Sequence, residues 1–414
     1  MSGGDAQSAA RVVIAGGGIA GLEAVLALRE FGGERVQMTL ICPEPDFTYK
    51  PMTVDEPFSG EPAERHELAP IAAELGAEFV QRGIERVEPE QHLVRLDDGA
   101  ELPYDALVVC VGARARPAYE HAITFKSSGE ELRLSELLTE AKEGQPDRIA
   151  FVVPPGNTWP LPLYELALMT KRRGHDQGLE QLECRVITPE ASPLIVFGVE
   201  PSSKVAELLE ARRISVTTGA RVSEDSSGTL TAVPGGEEIT ASHVVALPVL
   251  EGPSIAGLPA DDQGFMPIDS NARVKGVEDV YAAGDGTNFP IKQGGLGTQQ
   301  ADAAAAHIAA RFGAEIDPQP FQPVLRGMLL AGDESLSLRH GLTGGSGEGK
   351  ASLDYLWWPP HKVSGRFLAP WLAHEIPHAD PEPPVRPLEV EVALPTEWHE
   401  DPMALDPYSA PEVD

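Results

Sequence analysis

The first forty residues alternate between apolar runs and a glycine-rich break. Residues Arg11 to Ala15 form an apolar run, which gives way to Gly16-Gly17-Gly18-Ile19-Ala20-Gly21 and then to the mostly apolar stretch Leu22 to Arg29. This order predicts a buried strand, a tight turn and a helix. A second apolar run, Val36 to Ile41, follows at the spacing of the next parallel strand, so the pattern predicts a βαβ unit.

Later apolar runs predict a second unit of the same kind. Before this second unit, one more buried strand is predicted, and it ends in Cys110-Val111-Gly112. The second unit is predicted to hold strands at Arg148–Val153, Cys184–Thr188 and Ile214–Thr217, and helices at Leu163–Arg173 and Ser202–Arg212. Its second strand ends in Ile187-Thr188-Pro189-Glu190, which echoes Ile41-Cys42-Pro43-Glu44 in the first unit. The echo indicates two related α/β halves.

The last third of the chain returns to the first domain. A short apolar run ends in Gly284-Asp285, and an alanine-rich helix is predicted over Gly297 to Phe312. We therefore predict an α/β fold with two Rossmann-like dinucleotide-binding domains, the first of them discontinuous. The predicted boundaries are 1–125 with 256–330 for the first domain, 126–255 for the second, 331–376 for a small C-terminal interface region, and 377–414 for an acidic, proline-rich tail.

Composition narrows the possible partners. The 414 residues carry a formal net charge of -32, which repels nucleic acid as a long-range average. The first ten residues lack the basic cluster and apolar core of a signal peptide, and no uncharged stretch is long enough to span a bilayer. We therefore expect a cytoplasmic protein that binds no nucleic acid.

The cysteines and histidines do not form a recognisable reactive site. Cys42, Cys110 and Cys184 are far apart in sequence, and neither they nor the histidines have metal-ligand spacing. Cys110 lies within a buried strand, where an inert thiol is the expected state. The sequence therefore predicts no metal site, and it identifies no catalytic acid or base.

The glycines of the first turn have the arrangement of a dinucleotide fingerprint. Gly16 allows the tight turn, Gly18 allows the backbone to approach a pyrophosphate, and Gly21 allows the helix to pack closely on the strand. The helix N-terminus then faces the anion.

Taken together, these motifs resemble the two-dinucleotide-domain flavoproteins of the pyridine nucleotide-disulfide oxidoreductase superfamily. Within it, the chain resembles the branch that holds sulfide:quinone reductases, flavocytochrome c sulfide dehydrogenases and type II NADH dehydrogenases. The resemblance covers roughly residues 11 to 330. It implies FAD as the cofactor. The residues that it assigns to cofactor binding are Gly16, Gly18, Gly21, Lys50, Cys110, Val111, Gly112, Gly284, Asp285, Lys292, Gly295 and Leu296.

The resemblance assigns these residues to different parts of FAD. The three fingerprint glycines hold the pyrophosphate, and Asp285 accepts hydrogen bonds from the ribityl chain. Gly294 to Leu296 bring a helix N-terminus to the pyrimidine end of the flavin, where Lys292 stabilises the anionic reduced ring. The acid expected on the adenosine ribose is replaced by Cys42 at the strand end, and Glu44 is the candidate substitute, with a plain surface role as the alternative.

Two departures from the family concern the electron donor. The nicotinamide-domain turn reads Pro154-Pro155-Gly156-Asn157-Thr158-Trp159-Pro160, where prolines remove N–H donors and a tryptophan fills space, so strong NAD(P)H binding is disfavoured. The sulfide-oxidising members place a redox cysteine where this chain has Trp159, and no cysteine follows Cys184. A dithiol relay needs two thiols within bonding reach, so the usual sulfide chemistry is not expected.

The segment from Tyr355 to Leu372 is aromatic and locally basic. It indicates either packing against the flavin domain or a second subunit, which we favour, or peripheral contact with a membrane. A homodimer and membrane association thus stay open.

We predict an FAD-dependent oxidoreductase that passes electrons to a quinone, another small molecule or a redox protein, with an unknown donor and no dithiol relay. The alternatives are an NAD(P)H dehydrogenase of the type II kind and a non-catalytic flavin-binding interaction protein.

Overall fold

The computed structural model describes residues 8–125, 148–332, 335–341, 349–357 and 359–375. Within these ranges the helices are α1 (Ile19–Gly32), α2 (Glu56–Ser59), α3 (Leu68–Glu74), α4 (Leu161–Asp176), α5 (Val199–Ala211), α6 (Gly294–Arg311) and α7 (Leu368–Glu375). The strands are β1 (Ala10–Ala15), β2 (Val36–Ile41), β3 (Asp46–Thr48), β4 (Arg65–Glu67), β5 (Ala77–Val80), β6 (Ile84–Glu88), β7 (Leu93–Leu96), β8 (Glu101–Pro103), β9 (Ala106–Val109), β10 (Arg114–Arg116), β11 (Ile123–Thr124), β12 (Arg148–Val152), β13 (Glu183–Ile187), β14 (Ile214–Thr217), β15 (Arg221–Glu224), β16 (Leu230–Val233), β17 (Glu237–Glu238), β18 (His243–Ala246), β19 (Val249–Glu251), β20 (Val280–Ala282), β21 (Val324–Leu330), β22 (Ser335–Gly341) and β23 (Lys350–Ser352).

The first domain is built on a parallel sheet in the order β20-β9-β1-β2-β5. Strand β9 is buried along its whole length, as its continuous apolar run predicts for a sheet covered on both faces. Strand β20, from late in the chain, pairs with β9 through Val280 and Leu107. The prediction of a discontinuous first domain is therefore confirmed.

The second domain repeats this plan with a parallel sheet in the order β11-β18-β12-β13-β14. Helix α4 begins two residues before the predicted Leu163, because Pro162 is tolerated in the first turn of a helix. The α/β fold class with two Rossmann-like domains is confirmed. The exact domain boundaries stay a prediction; residues 126–147 of the second domain and the tail at 377–414 lie outside the described residues.

The C-terminal region includes β21, which lies before the predicted boundary at 331, and it packs on both domains. Strands β21, β22 and β23 form an antiparallel sheet, and Gly327 of β21 lies against Phe197 and Leu161 of the second domain. Helix α7 follows Phe367, whose ring meets Phe31 of α1 edge to face at 5.4 Å. The aromatic segment is therefore seated on the first domain.

Candidate flavin site

The glycine-rich turn after β1 has the close packing of a dinucleotide fingerprint. Gly16 has a φ of +111°, and its N–H donates to the Ile41 carbonyl at 2.7 Å. A Cβ at Gly16 would overlap the Cys110 carbonyl, and a Cβ at Gly21 would overlap the Gly16 carbonyl. Larger residues would force the backbone apart, so these two glycines let α1 begin directly against the strand ends.

The N-terminus of α1 offers N–H groups to an anion. Gly18 is the residue before the helix; it is exposed, and a Cβ there would meet nothing within 4 Å. Among the described residues no side chain caps this helix, and its first turn holds no acidic residue. The positive end of the helix therefore faces open space, which fits a pyrophosphate.

Asp285 lies beside the same helix start, directly after β20. The N–H of the preceding Gly284 donates to Oε1 of Gln300 at 2.8 Å, which fixes the turn that carries the carboxylate. Burial raises the pKa of Asp285, and the charges of Lys292 and Lys50 oppose this rise. Among the described residues no group donates a hydrogen bond to this carboxylate. An acceptor without a protein donor fits the hydroxyl groups of a ribityl chain.

Lys292 is a buried ammonium group at the same place. Its Nζ donates to the Thr287 carbonyl and lies 3.6 Å from the centre of the Phe265 ring. Burial lowers its pKa to about 8, although Asp285 and Asp261 favour the charged form. Positive charge is thus held next to the proposed ribityl acceptor.

Helix α6 begins at Gly294, three residues before the predicted start. The Leu296 N–H donates to Oε1 of Gln293 at 2.9 Å, so it is already satisfied. Among the described residues the N–H groups of Gly294 and Gly295 donate to no protein group. The assignment of Gly295 and Leu296 to the cofactor stays a prediction, with Gly295 as the better placed donor.

The end of β9 gives the neighbouring wall. The Cys110 N–H donates to the Ala15 carbonyl at 2.6 Å, and burial raises the pKa of its thiol to about 12. Val111 is 40% exposed, an unusual state for a large apolar side chain at a strand end. Cys110 is therefore a packing residue, and Val111 with Gly112 presents an apolar surface suited to a ring system.

Glu44 and Lys50, two further cofactor candidates, both lie on exposed positions of the first domain. The Cys42 thiol donates to Oε2 of Glu44 at 3.3 Å, and burial raises the pKa of this thiol to about 11. This contact keeps Glu44 at the carboxyl end of β2, where an adenosine ribose acid is expected.

The second dinucleotide turn contains prolines and a packed tryptophan in place of open glycines. Helix α4 follows Pro160, carries Pro162 in its first turn, and has the Leu163 N–H donating to the Pro160 carbonyl at 3.0 Å. The Trp159 ring packs against Phe197 at 5.8 Å between ring centres. Pro160 and Pro162 carry no N–H, so this helix start offers fewer donors to a pyrophosphate than the start of α1 does.

Glu190 is a buried carboxylate near the carboxyl end of β13, and the sequence did not single it out as a functional residue. It follows β13 as Glu44 follows β2, but it is fully buried. Its carboxylate accepts hydrogen bonds from the Tyr164 hydroxyl at 2.6 Å and from the Thr188 hydroxyl at 2.8 Å. Burial raises its pKa to about 7. The repeated strand ending was the signal that could have identified it.

A buried ion pair joins the second domain to the C-terminal region. Nζ of Lys362 lies 2.7 Å from Oε2 of Glu165, whose Oε1 accepts the Leu330 N–H at 2.9 Å. Burial raises the pKa of Glu165 and lowers that of Lys362, and each group's charge opposes the shift of the other. The sequence could not indicate this pair, because 197 positions separate the two residues.

The described residues contain no other redox or metal centre. All three cysteines are free and buried, and no group of three metal-ligating side chains occurs among the described residues. His307 donates to or accepts from the Tyr281 hydroxyl at 2.8 Å, which is a structural contact. In the described part of the chain, no helix is both long and apolar enough to cross a bilayer.

Parts of the chain are similar in sequence to known oxidoreductases. Residues 5–153 match the family described as pyridine nucleotide-disulphide oxidoreductase. The sulfide-quinone reductase of Aquifex aeolicus is 24% identical over 272 residues, which is 61% of each chain. A ferredoxin–NAD(P)(+) reductase of Sphingomonas sp. is 26% identical over 289 residues, which is 66% of each chain. The chain thus spans slightly less than two thirds of the length of these curated relatives.

The fold gives a longer match than the sequence. The crystal structure of the Aquifex aeolicus sulfide:quinone oxidoreductase superposes with a TM-score of 0.72 at 20% identity, covering 83% of this chain and 87% of that one. Residues 5–153 thus resemble the pyridine nucleotide-disulphide oxidoreductases in sequence, and the chain shares the fold of the Aquifex aeolicus sulfide:quinone oxidoreductase.

Proposed function

We propose that this protein is an FAD-dependent oxidoreductase that transfers electrons to a quinone or a small redox protein, without NAD(P)H at its second dinucleotide turn and without a dithiol relay. The observation that carries the proposal is the contrast between the two turns. The first is open at Gly18, whereas the second contains Pro160 and the packed Trp159.

The first turn supports the cofactor assignment. The N–H groups at the start of α1 would hold the pyrophosphate, and Asp285 would accept from the ribityl hydroxyls. FAD supplies the two-electron and one-electron chemistry when it is bound. Lys292 and the start of α6 supply positive charge, which favours the reduced, anionic state of the ring.

The second turn and the buried cysteines support an electron donor that is neither NAD(P)H nor a pair of thiols. A dithiol relay requires two thiols that reach each other, and burial raises the pKa of Cys110 and Cys184 to about 12 each. Both groups are therefore poor nucleophiles. We infer that electrons arrive from a donor that uses neither a nicotinamide pocket nor a cysteine pair.

Buried ammonium groups support a quinone as the acceptor. Reduction of a quinone to a quinol takes up two protons with two electrons. Lys292 and Lys362 are buried, and burial lowers the pKa of each, so each holds a proton more loosely than an exposed lysine. The quinone named for the sulfide-quinone reductase relative agrees with this choice.

The acceptor is tested independently of the unknown donor. The bound FAD is reduced by light under anaerobic conditions, and a soluble quinone or a ferredoxin is then added while the flavin absorbance is followed. Rapid return of the oxidised spectrum with the quinone supports the proposal. Return only with oxygen contradicts it and favours a non-catalytic flavin-binding protein.

A further inference from the structure

The C-terminal residues 359–375, here called the closing segment, lie over the starts of two helices. A Cβ at Gly294 would lie 3.1 Å from Val363 of this segment and 3.3 Å from Ile19 of α1, so the three residues meet. The Val363 N–H donates to the Tyr49 hydroxyl at 2.9 Å. The next residue back is Lys362, whose ammonium reaches Glu165 in the second domain. The closing segment therefore packs beside the starts of α1 and α6 and extends one buried charge into the second domain.

Glu23 of α1 accepts two backbone hydrogen bonds from the closing segment. Glu23 is fully buried, and it accepts the Phe367 N–H at 2.9 Å through Oε1 and the Leu368 N–H at 2.7 Å through Oε2. These are N–H groups at the start of α7, which have no partner within the helix itself. A carboxylate at a helix N-terminus satisfies such donors and interacts favourably with the helix dipole.

The Glu23 carboxylate has a second carboxyl group as its neighbour. Asp302 of α6 forms a side-chain hydrogen bond with Glu23, and its Oδ1 is inaccessible to solvent and has no partner among the described residues. A hydrogen bond between two carboxyl groups needs one shared proton. Burial and the charge of Glu23 raise the pKa of Asp302 well above its ordinary value, so Asp302 carries this proton.

We propose that Glu23 and Asp302 form a proton-sharing positioning pair that holds the closing segment in place and thereby brings Lys362 to Glu165. Protonated Asp302 donates to Glu23, and ionised Glu23 accepts from the start of α7. Loss of the shared proton leaves two adjacent buried carboxylates, which repel each other and release the segment. The role of Lys362 in electron transfer rests on the proposed function, whereas the attachment itself does not.

Few other charges face this pair. Arg366 of the closing segment favours the ionised form of Asp302, but its guanidinium also lies over the Phe31 and Phe367 rings. Glu74 of α3 accepts from Nε1 of Trp371 at 3.2 Å, one turn further along α7. Stability contributed by a group that holds its proton more tightly in the closed state is lost as the pH rises. The attachment is therefore expected to weaken toward alkaline pH.

Hydrogen exchange of the full-length holoprotein tests this inference. Peptides that cover 359–366 and 367–375 are followed from pH 6 to pH 10, with correction for the intrinsic pH dependence of exchange. In the wild type, protection of both peptides falls at high pH, by at most about tenfold per pH unit for one proton. Asp302→Asn keeps an uncharged donor beside Glu23, so its protection stays level over the same range.

Matched variants separate the pair from general effects. Glu30→Gln removes an exposed carboxylate from the same helix as Glu23 and leaves the wild-type profile unchanged. Glu23→Ala lowers protection of both peptides at every pH. A wild-type profile that stays flat to pH 10, a fall that persists in Asp302→Asn, or opening of 367–375 while 359–366 stays protected overturns the inference. Because no electron donor or acceptor is present, these outcomes are independent of the acceptor test.

Discussion

Removing Lys362 tests the buried ion pair most sharply. Its side chain is 7% exposed and that of Glu165 is 0% exposed, with 2.7 Å between the charged atoms. In Lys362→Met the apolar stem is kept and the charge is lost. Glu165 is then a buried carboxylate to which, within the part of the chain that the structure describes, the Leu330 N–H alone donates. Breaking a buried pair in this way typically costs about 3–5 kcal/mol.

The free-energy cost of Lys362→Met increases as the pH rises. Without Lys362, desolvation raises the pKa of Glu165 further, so the folded variant binds a proton that the unfolded chain releases. The unfolded chain then binds fewer protons than the folded one, and stability falls as the pH rises, by at most about 1.4 kcal/mol per pH unit. We therefore expect a small loss near pH 5 and the full loss of about 3–5 kcal/mol well above neutrality.

Urea unfolding of the holoprotein at pH 5, 6, 7 and 8 measures the loss in the free energy of unfolding. The first unfolding transition is used, because a chain of two domains need not unfold in one step. The double variant Glu165→Gln with Lys362→Met should regain most of the loss and should show no such slope. Lys204→Met is the matched control, because Lys204 and Glu207 form an exposed pair with side chains 51% and 65% exposed; such pairs contribute about 0–1 kcal/mol. A pH-independent loss, or one no larger than that of Lys204→Met, would refute the reasoning.

Three further outcomes are expected. Gly21→Ala places a methyl group onto the Gly16 carbonyl, so the folded protein should be isolated without yellow colour and should take up no added FAD; full FAD content would contradict the fingerprint assignment. Asp285→Asn removes a charged acceptor worth about 1.5–3 kcal/mol, so titration of the apoprotein should show FAD affinity lowered by about 10- to 150-fold; unchanged affinity would exclude a ribityl contact. Burial raises the pKa of Glu190 to about 7, so the free energy of unfolding should decrease as the pH rises from about 4.5 to 7. In urea unfolding this decrease should be larger for the wild type than for Glu190→Gln, and equal slopes would contradict the assignment.

Local pattern was sufficient to predict the first domain. The order of apolar run, glycines and apolar run predicted β1, α1 and β2, because parallel strands buried on both faces leave a continuous apolar run. The return of the chain to the same sheet was also accessible, since β20 ends in the glycine and acid that mark the edge of a cofactor site.

Long-range polar contacts were beyond the reach of the sequence. Lys362 meets Glu165, and Glu23 meets the start of α7, only after three parts of the chain have packed together. The aromatic composition of the segment that contains Lys362 indicated an interface, but it did not indicate that Lys362 pairs with Glu165. Glu190 illustrates a missed signal, because its strand ending repeats that of Glu44 although its carboxylate is buried by Tyr164.

The central claim is that the first dinucleotide turn holds FAD while the second admits no NAD(P)H. Anaerobic absorption spectra of the purified protein, recorded before and after addition of NADH, NADPH or sulfide in separate cuvettes, test it most directly. The account predicts flavin bands that persist with all three compounds and bleach on photoreduction. Rapid bleaching by NADH or NADPH would show that the turn at Pro154 to Pro160 admits a nicotinamide dinucleotide and would contradict the claim, and a colourless protein that takes up no FAD would contradict its first half.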